Sequence, residues 1–419
     1  MPDPTEVVRL TEYGSVPLAA DRLTPRDVER LRALQSRRRL RLDPLPSGWR
    51  LTADATVGVL ALDRVRLVIA PKFAVPGEQL MHWLAYALDA PAPLTVTERR
   101  WATGPDGYAD LVAAALLEQC ERLMREGLRR DYVRRASVEP VLRGRLDLAA
   151  QTSHRYGQLD QLHVRTFDRA ADIADNQVLG TALRAARALA SHPGLARALH
   201  TTAEAFPRAT TPDAALRLLD RARYTRLNAR YRPAHTWARL LLRGGGVTDL
   251  LTDDGTTADG LLLAMPALWE AVVRRLTADA AAPHGGHTVP GGGARAITVR
   301  GDLGSTSAFR PDVLLSLPGR APSPRALLPV DAKYKRYDRH GVAAADVHQL
   351  LTYATGYAPG TDPRAVIVHP CHGGHSRRVL RVDGPRGPLG AVHVLGVDTR
   401  TPPAQAAAWL RSELPSPTG

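Results

Sequence analysis

The chain has 419 residues, of which 44% are hydrophobic and 5% aromatic, so we expect two or three domains with mainly aliphatic cores. No apolar stretch approaches the roughly 20 residues of a membrane-spanning helix, and the first residues lack the basic and apolar segments of a signal peptide, so we expect no membrane contact. The two cysteines exclude a disulfide framework and favour the reducing cytoplasm, while the net charge of +14 favours polyanionic partners such as nucleic acid.

Residues 1–105 are predicted to form a β-rich domain with some helix. Thr24 precedes a proline and, three positions later, an aspartate, which is the pattern of a helix start with Thr24 as the N-cap. The other predicted elements are strands at Val57–Leu62 and Val65–Ala70 and a short helix at Gln79–Leu88.

Residues 106–250 are predicted to be mostly helical. Apolar residues recur at helical spacing through Asp110–Arg135, which predicts one long helix. Arginines cluster at its end, between residues 129 and 135, where they could contact phosphates, bind an acidic partner surface or form a solvated helix face. Further helices are predicted at Gln177–Ala190, Pro212–Ala222 and Arg232–Leu242.

Residues 251–419 have a mixed pattern, with a helix predicted at Pro266–Ala278 and a loop rich in glycine, proline and histidine up to about residue 293. The later elements are predicted as strands at Ile297–Arg300, Pro311–Leu317 and Leu327–Tyr334, a helix at Val342–Tyr357, and strands at Ala365–His369, Val379–Val382 and Ala391–Val397. This order suits a mixed sheet flanked by helices, so we assign the chain to the α/β class, as a multidomain α+β protein.

Three residues in this last region predict a catalytic site. Strand side chains alternate between faces, so Asp331 and Lys333 should project to the same side. Asp312 lies at the start of the predicted strand Pro311–Leu317, and Asp331 lies near the end of the next predicted strand, Leu327–Tyr334. If these two strands pair as an antiparallel hairpin, the two aspartates come close together. This arrangement resembles that of a PD-(D/E)XK nuclease domain.

The chemistry of these residues suits metal-assisted phosphodiester cleavage. Mg²⁺ prefers carboxylate oxygens, so Asp312 and Asp331 would hold it, helped by the backbone carbonyl of Ala332, with Mn²⁺ as a substitute. Lys333 would position the attacking water or stabilise developing charge.

Two residues on the flanking helices extend the predicted site. Glu270, at the edge of an apolar helix stripe, could reach the metal through a water. Gln349 shares a helix face with Asp346 and Tyr353 at helical spacing, where its amide could orient the substrate or the lysine.

Lysine is scarce in this chain, which supports the prediction for Lys333. Of the 56 basic residues only Lys72, Lys333 and Lys335 are lysines, so arginine was used wherever any positive charge would serve. A lysine that remains indicates a position where a compact ammonium is required.

Seven short segments of the chain form a recognisable set of motifs: Ile69-Ala70-Pro71-Lys72, Gly127-Leu128-Arg129-Arg130-Asp131-Tyr132, Arg143-Gly144-Arg145-Leu146-Asp147, Asp175-Asn176, Met265-Pro266-Ala267-Leu268-Trp269-Glu270, Asp331-Ala332-Lys333-Tyr334-Lys335 and Asp346-Val347-His348-Gln349-Leu350-Leu351-Thr352-Tyr353-Ala354. In these segments the chain resembles the McrC family, the nuclease subunit of McrBC-type (type IV) modified-cytosine restriction systems. The last two are the most specific, whereas Pro266 and Trp269 depart from the usual family residues.

The resemblance implies an endonuclease subunit for double-stranded DNA that docks on a McrB-like AAA+ GTPase ring, which in this family recognises the modified DNA, and that stimulates the GTPase of the ring. Residues 1–105 would be the docking domain. The chain itself should bind no nucleotide, because a G-x-x-x-x-G-K-[ST] loop needs a lysine after a glycine and this chain has none.

Two other functions remain open from the sequence. One is a scaffold and GTPase activator with a vestigial nuclease, and the other is a stand-alone restriction or repair nuclease. A zinc site at His369, Cys371, His372 and His375 is a weaker interpretation, because a turn after a strand explains these residues equally well.

Overall fold

The computed structural model describes residues 6–72, 77–91, 108–207, 211–243, 260–292, 295–300, 306–319, 325–357 and 363–415. Across these ranges, helices that combine the length and the apolar character needed to cross a bilayer do not occur. The glycine run at 244–246 lies outside them.

The first region forms two small sheets that share a core with its first helix, while its second helix packs in the core of the later regions. Thr24 caps the helix as predicted, because its hydroxyl accepts from Asp27 N–H while the Asp27 carboxylate accepts from Thr24 N–H. The predicted strand pair is confirmed as antiparallel β5 and β6. The elements are β1 (Glu6–Thr11), β2 (Ser15–Ala19), α1 (Pro25–Ser36), β3 (Leu40–Leu45), β4 (Gly48–Ala53), β5 (Thr56–Ala61), β6 (Val65–Ala70) and α2 (Gly77–Ala87).

One strand of this region comes from much later in the chain. The four-stranded sheet has the order β1-β6-β5-β10, and β10 (Gly260–Ala264) pairs antiparallel with β5. Gly58 allows the close approach, since a side chain there would meet the Leu261 carbonyl oxygen at 1.9 Å. The division at residues 1–105, 106–250 and 251–419 stays a prediction, but the strand that opens the last range is built into the sheet of the first.

The middle region packs five helices on one another and carries a small sheet of order β7-β9-β8. The elements are α3 (Tyr108–Arg125), β7 (Asp131–Glu139), β8 (Arg145–Leu146), α4 (Leu148–His154), β9 (Leu162–Ala170), α5 (Ala174–Leu189), α6 (Pro193–Glu204), α7 (Pro212–Arg221) and α8 (Arg232–Leu242). We call residues 131–170 the arm. The arm and α6 were not predicted.

The predicted helix Asp110–Arg135 is wrong in its last third. The helix ends at Arg125, Gly127 takes a positive φ of 83° that helical residues do not adopt, and the chain continues as β7. Arginine is compatible with a helix, so the spacing alone did not reveal the strand. The strand is fixed by pairing with β9, which is distant in sequence.

The third region is the predicted mixed sheet with helices on both faces. Its order is β11-β14-β15-β16-β18-β17, with parallel pairs only between β15 and β16 and between β16 and β18. The elements are α9 (Met265–Ala281), β11 (His287–Val289), a separate hairpin of β12 (Ile297–Arg300) and β13 (Thr306–Phe309), β14 (Val313–Pro318), β15 (Arg325–Ala332), α10 (Ala344–Tyr357), β16 (Arg364–Cys371), β17 (Ser376–Gly384), β18 (Gly387–Asp398) and α11 (Pro403–Glu413).

The alternation of side chains decides which helix covers which face of this sheet. Val313, Leu315 and Val330 share a core with α9 and α11. Leu314 and Ile367 point to the other face and share a core with α10. The sheet is therefore buried on both sides, and its catalytic candidates lie where strands end rather than on an open face.

Candidate active site

The two predicted strands bring Asp312 and Asp331 together. They pair antiparallel in a register that sets Val313 opposite Val330. Asp312 precedes Val313 and Asp331 follows Val330, so the two aspartates lie at the same end of the hairpin. Asp312 Oδ2 accepts a hydrogen bond from Ala332 N–H at 2.7 Å. The first carboxylate is thus bonded to the peptide that follows the second.

Lys333 completes the arrangement on the predicted face. Its Nζ lies 2.7 Å from Asp331 Oδ2 and donates to Gln349 Oε1 at 2.8 Å. The Asp331 side chain is 2% exposed and that of Lys333 is 18% exposed. The ion pair is largely screened from water, which strengthens it.

The orientation of Gln349 is fixed by a chain of hydrogen bonds. Its amide nitrogen donates to Tyr353 Oη at 3.0 Å, which leaves the amide oxygen facing Lys333. The Tyr353 hydroxyl in turn donates to the Arg310 carbonyl at 2.7 Å, two residues before Asp312. Helix α10 therefore ties the lysine to the strand that carries the first carboxylate.

Asp346, one turn before Gln349, accepts hydrogen bonds from side chains that follow β15. It accepts from Lys335 Nζ at 2.7 Å and from the Tyr337 hydroxyl, and it lies 3.8 Å from Lys333 Nζ. Burial opposes its ionisation, yet these donors hold the pKa of its carboxyl below the ordinary value. Sequence reasoning gave Asp346 no role, although it stands in the most specific motif.

The carboxylates lie close enough together to affect one another's ionisation. Burial, followed by the charges of Asp331 and Glu270, raises the pKa of Asp312 to about 7, against opposing effects of Ala332 N–H and Lys333. Burial acts to lower the pKa of Lys333, but the carboxylates around it raise it overall, so this lysine stays charged. The negative charge exceeds what Lys333 neutralises, and an added cation would relieve the excess.

Glu270 on α9 is near enough to act on Asp312 but its carboxylate is engaged elsewhere. Arg274 Nη2 donates to Glu270 Oε1 at 2.5 Å, one turn along the same helix. Within the described residues, sets of three His, Cys, Asp or Glu side chains arranged to hold a metal are absent. Asp312 and Asp331 fit a hard cation, whereas the contact of Glu270 through a water and that of the Ala332 carbonyl stay predictions.

The residues proposed above as a weak zinc site have other partners. Cys371 Sγ lies 3.2 Å from the Gly374 carbonyl, His372 Nδ1 lies 3.1 Å from the Thr399 hydroxyl, and His375 Nδ1 accepts from Asp398 N–H. Gly373 and Gly374 both take positive φ, at 99° and 113°. The turn interpretation accounts for the segment.

Comparison with known proteins gives the family. Residues 51–370, about three quarters of the chain, match the family described as McrBC 5-methylcytosine restriction system component. The chain belongs to the McrC family of these systems. No curated protein matches this McrC family member.

Two solved structures resemble this McrC family chain. A chain of the refined half-complex from a tetradecameric assembly of Thermococcus gammatolerans McrB AAA+ hexamers with bound McrC aligns at 16% identity and a TM-score of 0.65, covering 97% of this chain and 99% of that chain. A chain of the Thermococcus gammatolerans McrBC complex aligns at 18% identity and a TM-score of 0.45, covering 64% and 86%. At this identity the first match shows a shared fold.

Proposed function

We propose that this McrC family chain is the Mg²⁺-dependent DNA endonuclease subunit of a McrBC-like anti-phage restriction system, with a PD-(D/E)XK catalytic site. The observation that carries the proposal is the convergence of Asp312, Asp331 and Lys333 at one end of a buried hairpin. Membership of the McrC family supports the assignment to a restriction system, and the geometry of the three side chains supports metal-dependent DNA cleavage.

The side chains divide the work. A Mg²⁺ ion at Asp312 and Asp331 would supply a Lewis acid that neutralises phosphate charge and lowers the pKa of water. Lys333 stays protonated, so its role is to stabilise the negative charge that grows on the phosphate. Gln349 holds the ammonium in place, and Tyr353 holds Gln349.

The partner is proposed from the family and from the solved relative. That relative is described with McrB AAA+ hexamers. We infer that this chain docks on a McrB-like AAA+ GTPase ring, stimulates its hydrolysis of GTP, and cuts double-stranded DNA carrying modified cytosine, while binding no nucleotide itself.

The test of the catalytic assignment separates cutting from docking. Asp331→Asn and Lys333→Met should each lower DNA cleavage at least a thousandfold, because the first removes a proposed Mg²⁺ ligand and the second removes the charge that stabilises the reacting phosphate. GTP hydrolysis by the partner should rise as it does with the unaltered chain. Arg50→Met, a change at an exposed site in the first region, is the matched control.

Two results would overturn the assignment. Cleavage that survives either substitution would show that the catalytic centre lies elsewhere. An unaltered chain that stimulates GTP hydrolysis but never cuts, with Mg²⁺ or Mn²⁺, would show a scaffold with a vestigial nuclease.

A further inference from the structure

A group of side chains joins the first region to the segment that carries Lys333. Lys72 stands two residues after β6, and its N–H donates to Glu12 Oε2 at 2.8 Å. Its Nζ donates to the Tyr334 carbonyl at 3.2 Å, while the Tyr334 hydroxyl donates to the same Glu12 oxygen at 3.2 Å. Glu12, Lys72 and Tyr334 therefore form a closed ring of contacts between two sheets.

Two aromatic rings lie next to the ammonium of Lys72. Its Nζ lies 4.5 Å from the centre of the Tyr334 ring and 4.9 Å from that of Tyr13. Both distances are within the range of cation–π attraction. Tyr13 takes a φ of 63°, which is uncommon for a bulky residue and is held there by the surrounding turn.

Tyr334 connects these contacts to the candidate active site, because it lies between two lysines that contact residues of the site. Its neighbour Lys333 points to Asp331 and Gln349, and its other neighbour Lys335 points to Asp346. The Tyr334 ring is buried on the opposite side. The backbone is bonded further by Lys333 N–H to the Val368 carbonyl at 3.0 Å.

The three lysines of the chain thus meet at one place. Lys72 binds the residue between the other two, and it is close enough to Lys335 for their charges to interact. Elsewhere the chain uses arginine for positive charge. A guanidinium is a broad planar fork, whereas a single ammonium can donate to one carbonyl while lying over two rings.

We propose that Lys72 is a positioning residue of the nuclease site, which fixes the Lys333–Lys335 segment through the carbonyl and ring of Tyr334. The first region is then part of the active centre and not only a docking module. This inference rests on the proposed function for its catalytic consequence, but the fixing of the segment can be measured without catalysis.

The test uses Lys72→Met in the full chain, with Arg50→Met as the matched loss of one exposed charge. We expect the amides of residues 333–335 to exchange hydrogen for deuterium at least tenfold faster in Lys72→Met, without metal or partner, while amides of β16 are unchanged. With Mg²⁺ and the partner, kcat for cleavage should fall at least tenfold, with KM for DNA and GTPase stimulation within twofold. Lys72→Arg should restore less than half of the lost kcat.

A second variant covers the case in which Lys72→Met folds poorly. Tyr13→Gly removes one ring from the ammonium and relieves the positive φ, so it should not lower the unfolding temperature, yet it should lower kcat at least threefold. Unchanged exchange and unchanged kcat in both variants would overturn the proposal, as would faster exchange with full kcat. If the unaltered chain does not cut DNA, the proposed function fails, and the exchange data alone decide whether Lys72 fixes the segment.

Discussion

At the scale of single residues, the shared environment of Asp312 and Asp331 governs how the site responds to pH. The two carboxyls are buried side by side, and burial together with the charge of Asp331 raises the pKa of Asp312 to about 7. A protonated carboxyl is a poor ligand for Mg²⁺, so protons and the metal compete.

This competition predicts a pH-dependent metal affinity. Because the pKa of Asp312 is raised to about 7, the affinity for Mg²⁺ should fall about tenfold for each pH unit below 7 and level off above it. Calorimetric titration of the protein with Mg²⁺ between pH 5.5 and 8.5 measures this affinity. Asp312→Asn is the control, and its Mg²⁺ affinity should lose this dependence on pH. Affinity that is constant from pH 5.5 to 7 would contradict the pKa and its structural cause.

A second residue-scale prediction concerns the amide that holds the lysine. Gln349→Leu keeps the size of the side chain but removes both of its hydrogen bonds, to Lys333 and to Tyr353. We expect kcat to fall about ten- to a hundredfold, with little change in DNA affinity, since about 1.4–2.7 kcal/mol of orientation is lost. His348→Leu, on the exposed side of α10, should leave kcat unchanged, and equal losses in the two variants would point to a general effect on the helix.

At the scale of elements, the arm stands out by its exposed apolar side chains. Half of the sixteen exposed large hydrophobic residues in the described ranges lie between residues 131 and 170. Strand register places Tyr132, Arg134, Phe167 and Arg169 on one face, where Tyr132 is 70% and Phe167 is 66% exposed. Isolated domains avoid such patches, and aromatic and arginine side chains are enriched where proteins bind one another.

The root of the arm is held firmly by the helices beneath it. Arg129 Nη1 binds Asp175 Oδ2 at 2.6 Å, and its N–H donates to the Tyr231 hydroxyl. That hydroxyl donates to Asn176 Oδ1, and the Asn176 amide donates to the Arg129 carbonyl. Two motifs that carried the family resemblance therefore meet here, and they fix the direction of the arm.

We expect the arm to contact the proposed AAA+ partner, a surface that adds to the docking predicted for residues 1–105. Tyr132→Ser with Phe167→Ser should weaken binding to the partner at least tenfold and leave the unfolding temperature unchanged, since both side chains are exposed. Binding to DNA alone is the parallel measurement. A loss of DNA affinity with full partner binding would assign the patch to nucleic acid.

At the scale of the whole molecule, cutting is expected to depend on a second protein. Asp331 and Lys333 are already in contact in this chain, so we expect docking to supply DNA and energy and not the proposed catalytic groups themselves. The chain with Mg²⁺ alone should cut modified DNA at least a hundredfold more slowly than with the GTPase and GTP. Robust sequence-specific cutting by the chain alone would show a stand-alone nuclease instead.

Several local elements, and the face of the strand that carries Asp331, were determined by the sequence itself. Period-2 alternation placed Asp331 beside Lys333 and the cap at Thr24 began a helix, because these signals act between residues close in sequence. Lysine scarcity marked Lys333 through the composition of the whole chain. The sequence also predicted that Glu270 lies near the site, but it did not predict the ion pair between Glu270 and Arg274.

Only the tertiary structure decided how distant segments complete one another. The hydrogen bond from Lys72 to Tyr334 spans 262 positions, β10 joins the sheet of β5, and β7 is a strand because β9 pairs with it. Periodicity reports which face of an element is buried, but not which other element covers it. For that reason the sequence identified three lysines as unusual, and only the fold showed that they meet at one site.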